Sequence, residues 1–106
     1  MKLSEKQRRF TKMVGELIVW AFENDLELTL GEVYRPQRMA EIYAMEGIGI
    51  KGSKHCSRLA IDVNLFISGK YMTKTKDYRT LGEKWKELGG IWGGDFKRKD
   101  GNHFEL

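Results

Sequence analysis

His55, Asp62 and His103 are the residues on which a chemical reading of this chain turns. The 106-residue sequence contains two histidines and one cysteine. His55 stands just before a strongly alternating segment that carries Asp62, while His103 lies three residues after Asp100 and two before Glu105. Two imidazoles and a carboxylate are a normal ligand set for a catalytic zinc ion, which keeps its fourth position for water. An aspartate centred in an apolar strand must in any case have a charged or hydrogen-bonding partner. A structural zinc site is disfavoured, because such sites use four protein ligands, mostly cysteine, and Cys56 stands alone. Neighbouring side chains diverge, so Cys56 is expected to be a small packed thiol beside His55 rather than a further ligand.

The elements that must position these groups follow from periodicity. Leu59, Ile61, Val63, Leu65 and Ile67 fall on one face of a strand, and Ala60, Asp62, Asn64 and Phe66 on the other. The odd-numbered face reads as core; the even-numbered face carries an acid and an amide beside the small Ala60. His55, in the loop before this strand, can fold over it to meet Asp62. A strand at His103-Phe104-Glu105 supplies the second imidazole, with Phe104 turned to the core and Glu105 on the side of His103, where it can orient the ring. Asp100 is near enough to reach a metal-bound water without being a ligand.

Around this centre, a helix is expected from about Ser4 to Asn24. Its apolar stripe is Phe10, Met13, Val14, Leu17, Ile18 and Ala21, widened by Trp20 and Phe22, and Ser4 and Gln7 have the spacing of a capping box. Leu26, Leu28 and Leu30 suggest a short strand. Pro36 suits the first turn of a second helix, with Met39, Ile42 and Tyr43 inward and Gly47 and Gly49 as its stop. Ser68-Gly69-Lys70 reads as a turn into a brief partner strand at Tyr71-Met72. A third helix is expected from about Asp77 to Leu88, followed by Gly89-Gly90, with a further short strand at Ile91-Trp92. The sum is an α+β domain, about three helices packed on a small antiparallel sheet.

Length and composition fit one soluble globular domain: 41% hydrophobic and 32% charged residues, with no apolar run near the roughly 20 residues that cross a bilayer. No membrane insertion is therefore expected, and the charged N-terminus shows no signal region. The net charge of +4 favours an anionic partner. Lys51, Lys54, Arg58 and the Lys97-Arg98-Lys99 run are candidates to hold an acidic polymer. A basic nucleic-acid-binding module is the alternative from another class, resting on Arg8-Arg9 and Lys97-Arg98-Lys99. No finger, helix-turn-helix or RNA-binding signature accompanies those clusters, so nucleic acid is not expected as the partner.

Ser53-Lys54-His55-Cys56-Ser57-Arg58-Leu59-Ala60-Ile61-Asp62 resembles the SxHxxxxAxD motif of the zinc D-alanyl-D-alanine carboxypeptidase and dipeptidase family. That family includes the VanY and VanX enzymes and the phage L-alanyl-D-glutamate endolysins. Asp100-Gly101-Asn102-His103 resembles its second motif, an acid three residues before a histidine, and Glu32-Val33-Tyr34-Arg35 its upstream arginine segment. The resemblance implies a hedgehog/DD-peptidase-like fold and one Zn²⁺ held by His55, Asp62 and His103. It further implies Asp100 as catalytic base, Arg35 as the group that binds the reacting carbonyl, and Ser53 as a substrate contact. The implied substrate is a peptidoglycan stem peptide, cut by a single catalytic domain with no separate wall-binding domain. L-Ala-D-Glu is the expected bond and D-Ala-D-Ala the alternative. Without a signal region, such a protein is made in the cytoplasm and reaches the wall after release, through a holin-like partner or lysis. Asp100, rather than glutamate, resembles the endolysin branch, while Arg58 stands where many members carry glycine.

Overall fold

The computed structural model describes residues 1–50 and 52–106; Lys51, one of the basic candidates, lies outside the described residues. The described residues form three α-helices and a five-stranded antiparallel sheet, the α+β arrangement expected, with the first and third helices supplying the core against the sheet. The chain runs α1 (Leu3–Glu23), β1 (Glu27–Leu30), α2 (Gln37–Met45), β2 (Ala60–Ile67) and β3 (Lys70–Tyr71). It continues through α3 (Arg79–Glu87), β4 (Ile91–Trp92) and β5 (His103–Glu105). Short 3₁₀ turns occupy Lys54–Ser57, Thr75–Tyr78 and Gly93–Asp95. Strand order is β1-β2-β5-β4, with β3 also paired to β2.

Strand β2 divides the molecule. Its odd-numbered side chains, Ile61, Val63 and Leu65, are buried with Leu59 against Phe10, Met13, Leu17 and Ala21 of α1 and Leu81 and Trp85 of α3. Trp85 meets Phe10 and Phe104 edge-on, with ring centroids 5.7 and 6.0 Å apart. Its indole N–H donates to the Glu105 carbonyl at 2.9 Å, so the core also fixes β5. Ser68 and Gly69 both have positive φ, giving the two-residue turn whose twist suits a tight hairpin.

Several local expectations change. Helix α1 begins at Leu3 with Lys2 as its cap, so Ser4 lies inside the helix and forms no capping box. Gln7 instead donates across the fold to the Ser57 carbonyl. Phe22 is half exposed, because α1 meets the sheet only along the narrow Phe10–Ala21 stripe. In α2 the fully buried residue is Ala40; Met39, Ile42 and Tyr43 are half-buried outside the core cluster, Tyr43 beneath the Arg35 guanidinium. The third helix starts two residues later than expected, with a 3₁₀ turn before it.

Gly82 of α3 lies against the Trp92 indole, and an added Cβ would stand 2.6 Å or less from ring atoms. Helix propensity favours alanine over glycine by about 1 kcal/mol, whereas overpacking a core typically costs about 1–3 kcal/mol. The rigid ring decides the sign: Gly82→Ala is expected to lower the urea midpoint, and an unchanged or raised midpoint would refute this packing.

Candidate metal centre

The site face of the sheet is set by register. Strand β5 runs antiparallel to β2 with His103 opposite Asp62 and Glu105 opposite Ala60. His103 and Glu105 share one face and Phe104 takes the other, where it is completely buried. His55 arrives from the 3₁₀ turn Lys54–Ser57, whose N-terminus is capped by Ser53: the Ser53 hydroxyl accepts from the His55 N–H at 3.2 Å. The turn ends at Arg58, a non-glycine residue at φ 54°. This left-handed conformation is the physical reason glycine suits the position. Arg58 lays its guanidinium over the Tyr34 ring, 3.9 Å from the centroid, rather than into the site cavity.

The three expected ligands converge. His55 Nε2 lies 3.3 Å from Asp62 Oδ1, His103 Nδ1 lies 3.2 Å from the same oxygen, and all three donor atoms lie within 4.8 Å of one another. A tetrahedral ion with bonds of about 2.0–2.2 Å spaces its ligands roughly 3.3–3.6 Å apart, so the two contacts to Asp62 fit such an ion. The outer ring nitrogens are also engaged. His55 Nδ1–H donates to the Val33 carbonyl at 3.0 Å, and His103 Nε2–H donates to Glu105 at 2.8 Å. These bonds fix both tautomers, leaving the inner nitrogens as donors to a metal.

The remaining groups line the same cleft of about 620 Å³, with Arg35, Ser53, Asp100 and Glu105 on its walls. Residues 31–35 are laced to the site by backbone bonds: Gly31 N–H to the Asp62 carbonyl, Asp62 N–H to the Glu32 carbonyl, and Arg35 N–H to the His55 carbonyl. A Cβ at Gly31 would stand 2.8 Å from the Asp62 carbonyl, so this close approach requires glycine. Arg35 is clamped by Glu32, which accepts from its Nε and Nη2. Burial opposes the guanidinium's charge, but Glu32 outweighs it and raises its pKa. Asp100 is exposed, with Oδ2 3.8 Å from His103 Nδ1. Its loop is pinned by the Trp92 indole on the Gly101 carbonyl at 2.7 Å and by Asp100 N–H on the Gly93 carbonyl at 2.9 Å.

The sequence matches a family model described as D-alanyl-D-alanine carboxypeptidase over residues 47–106, more than half of the chain and both metal-ligand motifs. The chain belongs to this carboxypeptidase family. It is therefore a peptidase by descent. The fold is similar to that of the Serratia marcescens L-Ala D-Glu endopeptidase ChiX, at 25% identity and a TM-score of 0.71, covering 97% of this chain and 84% of that one. It is also similar to a mutant of the vancomycin-resistance D,D-pentapeptidase VanY in complex with Zn(II). That likeness is at 19% identity and a TM-score of 0.65, covering 92% of this chain and 70% of the other. No curated protein sequence matches the chain significantly.

Two positioning groups of this carboxypeptidase-family site escape a side-chain reading of the sequence. Glu32 has a signal, since an acid three residues before Arg35 can reach it. The Val33 carbonyl has none, because a backbone acceptor can belong to any residue. Among the described residues, no helix is long and apolar enough to cross a membrane.

Burial would raise the Asp62 pKa, but hydrogen bonds from His103 and His55 hold it down to about 2. Burial would lower that of His103, but Asp62 and Glu105 push it up to about 9. His103 is thus an imidazolium at neutral pH without metal. A metal ion taken up at Nδ1 must displace that proton, while the Nε2 proton stays on Glu105. Zinc added to metal-free protein at pH 7 is expected to release at least about one proton per ion, His103 supplying that one. Calorimetry in buffers of differing ionisation enthalpy measures this release, and none at pH 7 would contradict the charged His103.

Proposed function

We infer that the protein is a zinc-dependent peptidoglycan peptidase that hydrolyses the L-Ala-D-Glu bond of the stem peptide. The observation that carries this reading is the meeting of His55 Nε2, Asp62 Oδ1 and His103 Nδ1, with their outer nitrogens already engaged. His55, Asp62 and His103 would hold one Zn²⁺. When bound, the ion supplies Lewis-acid activation of water and of the scissile carbonyl near neutral pH.

The chain's own residues do the rest. Asp100 takes a proton from the attacking water and later delivers it to the leaving amine. Desolvation at the cleft wall pushes its carboxyl above its ordinary value, against the pull of His103, which suits a group that must accept and then return a proton. Arg35, held by Glu32, keeps a fixed positive charge for the oxygen that becomes anionic at the attacked carbonyl. Glu105 holds the His103 ring, and Ser53 holds the turn that carries His55 from a position on the cleft wall. Ile48 and Ile50 add an apolar wall suited to alanyl methyl groups.

Likeness to ChiX over nearly the whole chain favours the L-Ala-D-Glu bond; a phage-type endolysin, acting on the wall after release through a holin-like pore, rests on the resemblance of the Asp100 motif to that branch. The description of the matching family favours D-Ala-D-Ala as the second reading. Mass spectrometry of muropeptides after digestion separates the two. A new D-Glu amine terminus is expected, and loss of a terminal D-Ala alone would assign the second reading.

Asp100→Asn should retain zinc while kcat on purified muropeptides falls by about 10²–10⁴-fold, the usual contribution of general acid–base catalysis. Metal analysis and turnover on the same sample test this, and full activity in that variant would remove Asp100 from the reaction.

A further inference from the structure

Beside the metal cleft, a second cavity of about 270 Å³ opens between the segment after β3 and the Asp100 loop. Tyr71, Thr73, Thr75 and Asn102 line it, with Lys99 and Asp100 at the border it shares with the metal cleft. Among the described residues, no Leu, Ile, Val, Met or Phe lies on its walls, so it offers nothing to an apolar side chain. One ammonium and one carboxylate leave it without a net charge to draw an anion.

The walls are fixed by bonds that leave the lining side chains unspent. Met72 N–H donates to the Leu65 carbonyl at 2.8 Å, the Tyr78 hydroxyl to the Met72 carbonyl at 2.9 Å, and Lys74 N–H to the Asp77 carboxylate at 3.1 Å. Opposite them, Gly101 is held by the Trp92 indole and lies so close to Thr75 that an added Cβ would stand 2.6 Å from its Cα. Lys74 has an extended backbone, which puts Thr73 and Thr75 on one side of the chain. Among the described residues, neither threonine hydroxyl from this pair nor the Asn102 carboxamide has an internal hydrogen-bond partner. The Tyr71 hydroxyl reaches only Asn64, at 3.5 Å, and its half-exposed ring is propped by Phe66 with centroids 5.3 Å apart. Two hydroxyls and a carboxamide supply donors and acceptors alike, and the tyrosine supplies a flat ring with a polar tip. A pyranose matches this set: it is neutral, densely hydroxylated and presents C–H bonds on a flat face.

We propose that this cavity is a saccharide site, which holds an N-acetylated amino sugar of the wall glycan. The identity of the sugar rests on the peptidase reading above; the fit to a pyranose does not. The stem peptide begins on its sugar with L-Ala, so a substrate that crosses Asp100 from one cavity to the other meets both. Tyr71 packs on the sugar's C–H face, while Thr73, Thr75 and Asn102 exchange water for its hydroxyl and acetamido groups. The site thereby separates stem peptides still attached to glycan from free peptides.

The test compares the binding of N-acetylmuramyl-L-alanine and of N-acetyl-L-alanine to the zinc-loaded protein, by calorimetry and NMR. Neither ligand contains the L-Ala-D-Glu bond. The sugar-bearing ligand is expected to bind about tenfold more tightly, the scale of one or two neutral hydrogen bonds. It should shift the Asn102 side-chain amide and receive saturation transfer from the Tyr71 ring. Tyr71→Ala and the near-isosteric Thr75→Val should each narrow the preference and leave N-acetyl-L-alanine binding as it was. Thr73→Val, at an exposed position, should do the same without disturbing packing. Equal affinities in the wild type, or a preference untouched by all three variants, would overturn the site. A preference that persists while muropeptides go uncleaved would strike the peptidase reading and leave the saccharide site in place.

Discussion

The pairing of β5 with β2 is the constraint on which the site depends. With His103 opposite Asp62, the ring and the carboxylate are cross-strand neighbours before any loop is considered. Because side chains alternate with a period of two, the same register sends Phe104 into the core and brings Glu105 back beside His103. A slip by one residue would put Phe104 on the polar face and two ionisable groups among Trp85, Phe10 and Leu81. The hydrophobic effect therefore enforces the metal geometry indirectly: Phe104 is completely buried, and the Trp85 indole bonds the Glu105 carbonyl. A strand of only three residues carries both duties.

His55 is positioned by different means. Ser53 caps its turn, Arg58 closes the turn in a left-handed conformation, and the Val33 carbonyl fixes the ring. The segment 31–35 links these pieces, since it bonds to Asp62 and to the His55 carbonyl and ends at Arg35. The candidate ligands, their orienting partners and Arg35 thus share one short network, anchored where Gly31 permits close contact with Asp62.

What the sequence disclosed and what it hid divide along physical lines. Strand β2 was legible because five apolar residues alternate without interruption, and Asp62 was conspicuous as a charge in their midst. His103 and Glu105 were legible as a pair through the same period of two. Helix α1 existed as expected, but its start did not follow the Ser4 and Gln7 spacing, because Gln7 has a distant carbonyl to satisfy. The exposure of Phe22 was hidden for a related reason: periodicity names an apolar stripe without saying how far the opposing sheet extends. The acceptor for His55 was invisible, since backbone carbonyls carry no signature. Arg58 shows the reverse: its positive φ explains why glycine suits the position, a backbone reason that the residue type alone does not carry.

The two-sidedness of β2 also separates durability from trade. Residues that keep the molecule folded point one way, and residues that define what it cuts point the other, joined only through a shared backbone. Lineages that inherit such a sheet can exchange the cleft rim, including Ile48, Ile50 and Arg98, for another clientele while the oily side stays intact. Small peptidases of this design are free to change their preferences while the fold stays as it is.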